Sequence, residues 1–326
     1  MISRTASAML HQLAAEGVAP WLSADGADGG ADSADSVVDV LSHLARRRLV
    51  AGAVLAEVPS ATLHRVCDAL LPVYLDTDGR DGHVSVTACR GRGTGAENLV
   101  AAARDLYEGV GRTNLLVRLP TDPAGLMALR DCLALGIGVH AGPVYSVERY
   151  GEVLDAFFAG MERALASGLP LQEITSVVSV PVGPLDAAVN ARLDAVRNAR
   201  ADTARDTAAV ATARCLYGMR EDRLSSDWWR VIRTGGAQLP LLLWTDSTPG
   251  QVAPLVGANT AHVFTVARLE EAAAHAQLAG EALMGTAPEG AQALKELVSW
   301  GVDMDETTRR LEEATTECVP PVRTES

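Results

Sequence analysis

The stretch from Asn114 to Tyr150, NLLVRLPTDPAGLMALRDCLALGIGVHAGPVYSVERY, does most to constrain the fold. Asn114 to Leu119 is a short apolar run interrupted by Arg118, and Pro120 and Pro123 break it. Leu126, Leu129 and Leu133 then recur at spacings of three and four, which marks one face of a helix. Gly136 ends that helix, Ile137 to Val139 opens a second strand, and VYSVERY starts the next helix. Two strands joined by a helical crossover form a βαβ unit, which predicts an α/β protein with its chemistry at the carboxyl ends of parallel strands. Arg118 and His140 occupy such positions on two successive strands.

The same alternation runs along the rest of the chain. Residues 5 to 17 read as a helix, Ala19 to Ser23 as a strand, and His83 to Ala88 (HVSVTA) as another. Val147 to Ser167 is helical, Ile174 to Val182 is a strand, and Leu185 to Leu216 reads as one long helix followed by Asp227 to Arg233. Leu239 to Trp244 is a fully apolar strand, His262 to Val266 the last one, and residues 268 to 282 and 290 to 316 are closing helices. A chain of 326 residues with this pattern predicts one barrel domain over residues 1 to 316, with residues 317 to 326 as a disordered tail. The Asp/Gly-rich run over 24 to 35 reads as a flexible linker. It lacks the alternating oxygen ligands and closing glutamate of a calcium loop.

Charge and composition exclude several classes of function. A net charge of −13, with no basic cluster beyond Arg46 to Arg48, argues against nucleic acid as a partner. No apolar run reaches the length of a membrane span and the N-terminus lacks a signal-peptide core, so a soluble, cytoplasmic protein is expected. The five cysteines are scattered without a CxxC pair, which suits reduced thiols. Neither a cofactor nor a metal is predicted. His140, His262 and Asp246 would make a two-histidine, one-carboxylate set, but their spacing carries no metal motif.

On the residues NLLVRLP and VYSVERY the chain resembles the transaldolases, whose corresponding runs contain IKIPAT and FSLERY. The resemblance extends through ALLPVYLDTDGRDGHVSV on one side and ASGLPLQEITSVVSVPVGPLDAAVNARLD on the other. It implies a TIM (β/α) barrel and a site at the barrel mouth. It also implies that Arg118 stands where the family carries its Schiff-base lysine, and a guanidinium stays protonated and is no amine nucleophile. Ser23 and Thr87 match the family's two carboxylates, and His140 and Gly142 match its asparagine and threonine. Ser179 matches a serine, Pro184 the arginine that grips the sugar phosphate, and His262 an asparagine. The family's second strand is not visible: residues 36 to 74 read as helix throughout, with Leu41, Leu44, Val50, Val54, Leu63, Val66 and Leu70 on apolar faces. The expectation is therefore a barrel incomplete around its second β/α unit, whose open edge a second copy or another protein would cover.

The residual site is expected to hold Arg118, His140 and Asp246 as catalytic groups, with Thr87, Ser179, His262 and Arg90 binding a small-molecule substrate. Arg118 would hold a carboxylate or enolate oxygen while His140 moves a proton. The corresponding function is a transaldolase-like protein turned to chemistry without a Schiff base, in a specialised biosynthetic pathway. The competing expectations are an inactive homologue acting as a binding or regulatory partner, and a true transaldolase of the pentose phosphate pathway.

Overall fold

The computed structural model describes residues 2–24, 31–56, 58–87, 95–196 and 201–317. The chain runs α1 (Arg4–Ala15), β1 (Val18–Ser23), α2 (Ala31–Arg46), β2 (Gly52–Leu55), α3 (Ser60–Asp76), β3 (His83–Thr87) and α4 (Ala96–Val110). It continues with β4 (Leu115–Leu119), α5 (Pro123–Ala134), β5 (Val139–Ala141), α6 (Val147–Ala166), β6 (Ser176–Pro181), α7 (Val182–Ala195), α8 (Ala208–Leu224) and α9 (Asp227–Thr234). It ends with β7 (Leu241–Thr245), α10 (Pro249–Val252), β8 (Thr260–Phe264), α11 (Val266–His275), α12 (Ala287–Ser299) and α13 (Met304–Glu317). The strands pair in chain order, all parallel, and β8 pairs back onto β1 through Val18↔Thr260 to Leu22↔Phe264. This is a closed (β/α) barrel.

Closure corrects the expectation of a missing second unit. Gly52, Ala53, Val54 and Leu55 form β2, pairing with β1 at Trp21↔Gly52 and with β3 at Val54↔Ser85. The strand escaped pattern reading because it is four residues long and buried on both faces. A parallel strand covered on both sides has no polar alternation to announce it, so its valines and leucines merge with the helix periodicity around them. The closed ring also removes the open edge for which a covering partner was invoked. Helix α2 begins at Ala31, inside the expected linker, while residues 25–30 and 318–326 lie outside the described residues. The long helix expected over Leu185 to Leu216 is instead α7 and α8, separated by a short 3-10 turn at Ala201–Ala204 and by Asp206 in a left-handed conformation (φ 57°).

Caps and packing account for the unit around Arg118. The Asp122 side chain accepts a hydrogen bond from the Gly125 amide at 2.7 Å and opens α5, and Ser146 accepts one from the Arg149 amide at 3.1 Å and opens α6. Leu129, Cys132 and Leu133 of α5 meet Leu154, Phe157, Phe158 and Met161 of α6 in the largest apolar cluster. Inside the barrel a separate cluster holds Trp21, Val54, Leu116, Val177, Leu243, Ala261 and Val263. Trp21 fits there because its partner across the ladder is Gly52. A Cβ at that glycine would stand 2.4–2.6 Å from the indole ring. Gly52→Ala is therefore expected to destabilise by about 1–3 kcal/mol, as overpacked cores do, and to lower the thermal melting midpoint measurably. An unchanged midpoint would mean that Trp21 moves freely, contrary to its 1% exposure. Among the described residues no helix is long and apolar enough to cross a membrane.

Candidate active site

Alternation along each strand places one set of side chains on the barrel axis and the other against the helices. The axial set rises through the apolar plug and ends in polar residues at the carboxyl rim: Ser23, Thr87, Arg118, Ser179 and Thr245, with Gly142 just beyond β5. Together with the loops above them they line a cavity of about 1020 Å³. Pro184 also lines it, at the place where the resemblance expects an arginine.

Helix α13 forms part of the cavity's wall. Arg149 of α6 donates to Glu312 at 3.1 Å, and the Tyr145 hydroxyl meets Thr315 Oγ1 at 3.3 Å. Arg309 pairs with Glu306 and Glu313. The rim thus mixes Arg149, Arg268 and Arg309 with Glu312, Glu313 and Asp246, while Arg118 is the cation that the barrel strands themselves contribute. Arg118 is half-buried, with Thr87 and His140 as its ladder partners on either side.

Asp246 follows β7 directly and is exposed to the cavity, its backbone in the left-handed region (φ 56°). Its carboxylate accepts a hydrogen bond from Thr245 Oγ1 at 2.9 Å. The unusual turn is accommodated by Gly183, where a Cβ would lie 2.3 Å from the Asp246 carbonyl oxygen. A second exchange of space occurs at Gly142: a Cβ there would stand 1.9 Å from Ser179 Oγ. The serine hydroxyl fills the room that a larger residue at position 142 would take.

Two of the expected site residues do not reach the cavity. His262 lies in mid-strand on the outward face of β8, fully buried, with its ring stacked on Phe264 at 5.6 Å between centroids. Its neighbours Ala261 and Val263 take the axial positions, so period two turns His262 toward the helices and away from any ligand. Its ring nitrogens find no well-formed hydrogen bond, and burial pulls its pKa down to about 3. His140 does face the axis but lies below the cavity surface at 0% exposure. Its Nδ1 shares a 2.6 Å hydrogen bond with Ser85 Oγ, also fully buried. Burial, and secondarily the charge of Arg118, hold His140 well below the usual histidine range, so its ring is neutral. Ser85 was missed by sequence reading, since a serine inside an alternating strand carries no signal of its partner. Arg90 lies outside the described residues.

The cavity offers hydroxyls, guanidiniums and carboxylates, but no lysine. The chain's single lysine, Lys295, is exposed on α12 and does not line it. Cys67 and Cys132 are buried in the helix layer, their thiols pushed up to about 12 by burial. Among the described residues no group of three or more His, Cys, Asp or Glu is placed to hold a metal ion.

Comparison with known proteins adds an independent line. Residues 29–317 match the family model described as Transaldolase/Fructose-6-phosphate aldolase. A transaldolase of Parafrankia sp. is 32% identical over 280 residues, covering 83% of this chain and 76% of that protein. The transaldolase of Acidothermus cellulolyticus is 31% identical over 84% of this chain and 76% of its own. Transaldolase 2 of Streptomyces coelicolor is 32% identical over 83% of this chain and 75% of its own.

Proposed function

This chain belongs to the transaldolase/fructose-6-phosphate aldolase family, and we propose that its barrel-mouth cavity holds a small anionic metabolite on Arg118 for chemistry that uses no lysine amine. The observation that carries this reading is the half-buried guanidinium of Arg118 at the cavity's strand-built surface. There water competes less, and a fork of N–H donors matches a carboxylate, a phosphate or an enolate oxygen. Asp246, exposed at the rim, is the carboxylate that exchanges a proton with the bound metabolite. Thr87 and Ser179 supply neutral hydroxyls that orient it. His140 lies too deep to touch the metabolite and is not the proton carrier.

The alternative of an inactive homologue that binds a protein partner drew its argument from an unpaired barrel edge, and the closed ring takes that argument away. The anion reading is tested with pyruvate and inorganic phosphate as probes, by calorimetry and by ligand-induced shifts of the melting midpoint. Arg118→Gln keeps most of the side chain's volume and removes its charge. It is expected to weaken binding of the probe anions by about 10- to 100-fold, the worth of one charged hydrogen-bonded pair. Equal affinity in the wild type and Arg118→Gln would remove Arg118 from the site.

A further inference from the structure

We propose that Ser85 and His140 are positioning residues, whose hydrogen bond braces the inner face of β4 and holds the Arg118 side chain up into the cavity. The inference rests on the anion-binding reading of Arg118. Strands β3 and β5 are the two neighbours of β4. Ser85 is in register with Leu116 on one side, and His140 with Arg118 on the other. The 2.6 Å bond between Ser85 Oγ and His140 Nδ1 therefore crosses β4 on the axial side, between the levels of Leu116 and Arg118. Both bonded residues are fully buried and neither lines the cavity, whereas Arg118 does. The imidazole is thus fixed at one end by the serine hydroxyl, in register with Arg118 and close enough to feel its charge.

A long side chain that must be ordered on ligand binding loses rotamer freedom, and that loss costs affinity. A neutral ring fixed beside the arginine removes part of that cost in advance. A charged ring would not serve, because it would repel the guanidinium.

The test reads Arg118 itself. In a 15N–1H correlation spectrum the Nε–H signal of Arg118, identified by its loss in Arg118→Gln, reports whether the side chain is ordered. Ser85→Ala and His140→Leu are expected to broaden or shift that signal, and to weaken pyruvate binding by roughly 3- to 10-fold, the scale of one immobilised long side chain. His140→Asn sets an amide where Nδ1 stands, keeps the bond to Ser85 and is expected to retain both properties. Ser85→Cys, nearly the same size but a poor hydrogen-bond partner, repeats the measurement if Ser85→Ala does not fold. An Arg118 signal unchanged in both Ser85 variants would overturn the brace. Loss of folding in His140→Asn alongside normal folding in His140→Leu would do the same. If the wild type binds neither pyruvate nor phosphate, the anion reading fails while the Nε–H measurement still decides on the brace.

Discussion

Acidification from about pH 7.5 to pH 5 is expected to remove a large part of the folding free energy, well before most carboxylates titrate. The cause is three fully buried histidines, His83, His140 and His262. Burial lowers the pKa of His83 to about 4 and that of His262 to about 3, and it holds His140 well below the usual range with help from Arg118. In the unfolded chain each titrates near 6.5. Below that pH the unfolded state binds protons that the folded state refuses. Their neutral packing therefore contributes its full stability above pH 6.5 and loses it as the pH falls toward the folded values. Each histidine contributes a slope of about 1.4 kcal/mol per pH unit in that window, so His83 and His262 alone account for roughly 3 kcal/mol per unit. His140 adds to the same sign. Against a typical net stability of about 5–15 kcal/mol this is large. Asp81 and Asp186, whose pKa values burial raises, act in the opposite sense. Urea midpoints at the two pH values provide the measurement. His262→Phe, which keeps an aromatic ring beside Phe264, is expected to flatten the dependence by about one histidine's share. Equal midpoints at both pH values in the wild type would show that these rings are not held neutral.

How much of this was legible beforehand differs sharply between elements. The unit from Asn114 to Tyr150 was readable because its breaks are chemical: Pro120 follows the end of β4, Pro123 opens α5, and Gly136 comes just after the C-cap of α5. Strand β2 was not readable, since GAVL has no polar face and no flanking breaker before Pro59. In the site, Arg118, Thr87, Ser179 and Asp246 are the expected residues that the structure brings to the cavity. The two histidines show why position along a strand is not enough. His262 was taken to be the first residue of the last strand, but that strand begins at Thr260, and its outward phase is known only once the ladder with β1 is known. His140 has the right phase but too little height. It stands in register with Val177 of the apolar plug, one axial step below Ser179, and no local pattern encodes that register. The Ser85–His140 pair joins residues 55 apart in sequence, and Gly142 with Ser179 makes a second such match of shapes. Contacts of this kind belong to the closed ring and to no segment of it.

Incubation with fructose 6-phosphate and erythrose 4-phosphate is expected to give no transaldolase turnover, and Arg118→Lys alone is expected not to restore it. A Schiff base needs an amine whose pKa its surroundings lower, and acid/base groups that form and break the iminium. The resemblance places two carboxylates where this cavity has Ser23 and Thr87, both of which line it. Each such proton carrier supplies about a hundred- to ten-thousand-fold in rate, so a lysine at position 118 would stand without its relays. Restoring the threonine expected at position 142 would require the Ser179 hydroxyl to turn away, because Ser179 Oγ lies 1.9 Å from where its Cβ would be. Pro184 brings no charge to meet the sugar phosphate, and the nearby cations are already engaged: Arg149 with Glu312, Arg309 with Glu306 and Glu313. The lysine would thus enter a site changed at several coupled positions. Borohydride trapping followed by mass spectrometry, beside the transfer assay, reads the two steps separately. A trapped adduct in Arg118→Lys without transfer would show that the amine forms the imine and that the proton relays are what is missing. Efficient transfer by Arg118→Lys would mean that Asp246 or a rim glutamate already supplies them, and efficient transfer by the wild type would require an amine other than the remote Lys295 and would overturn the assignment of this cavity.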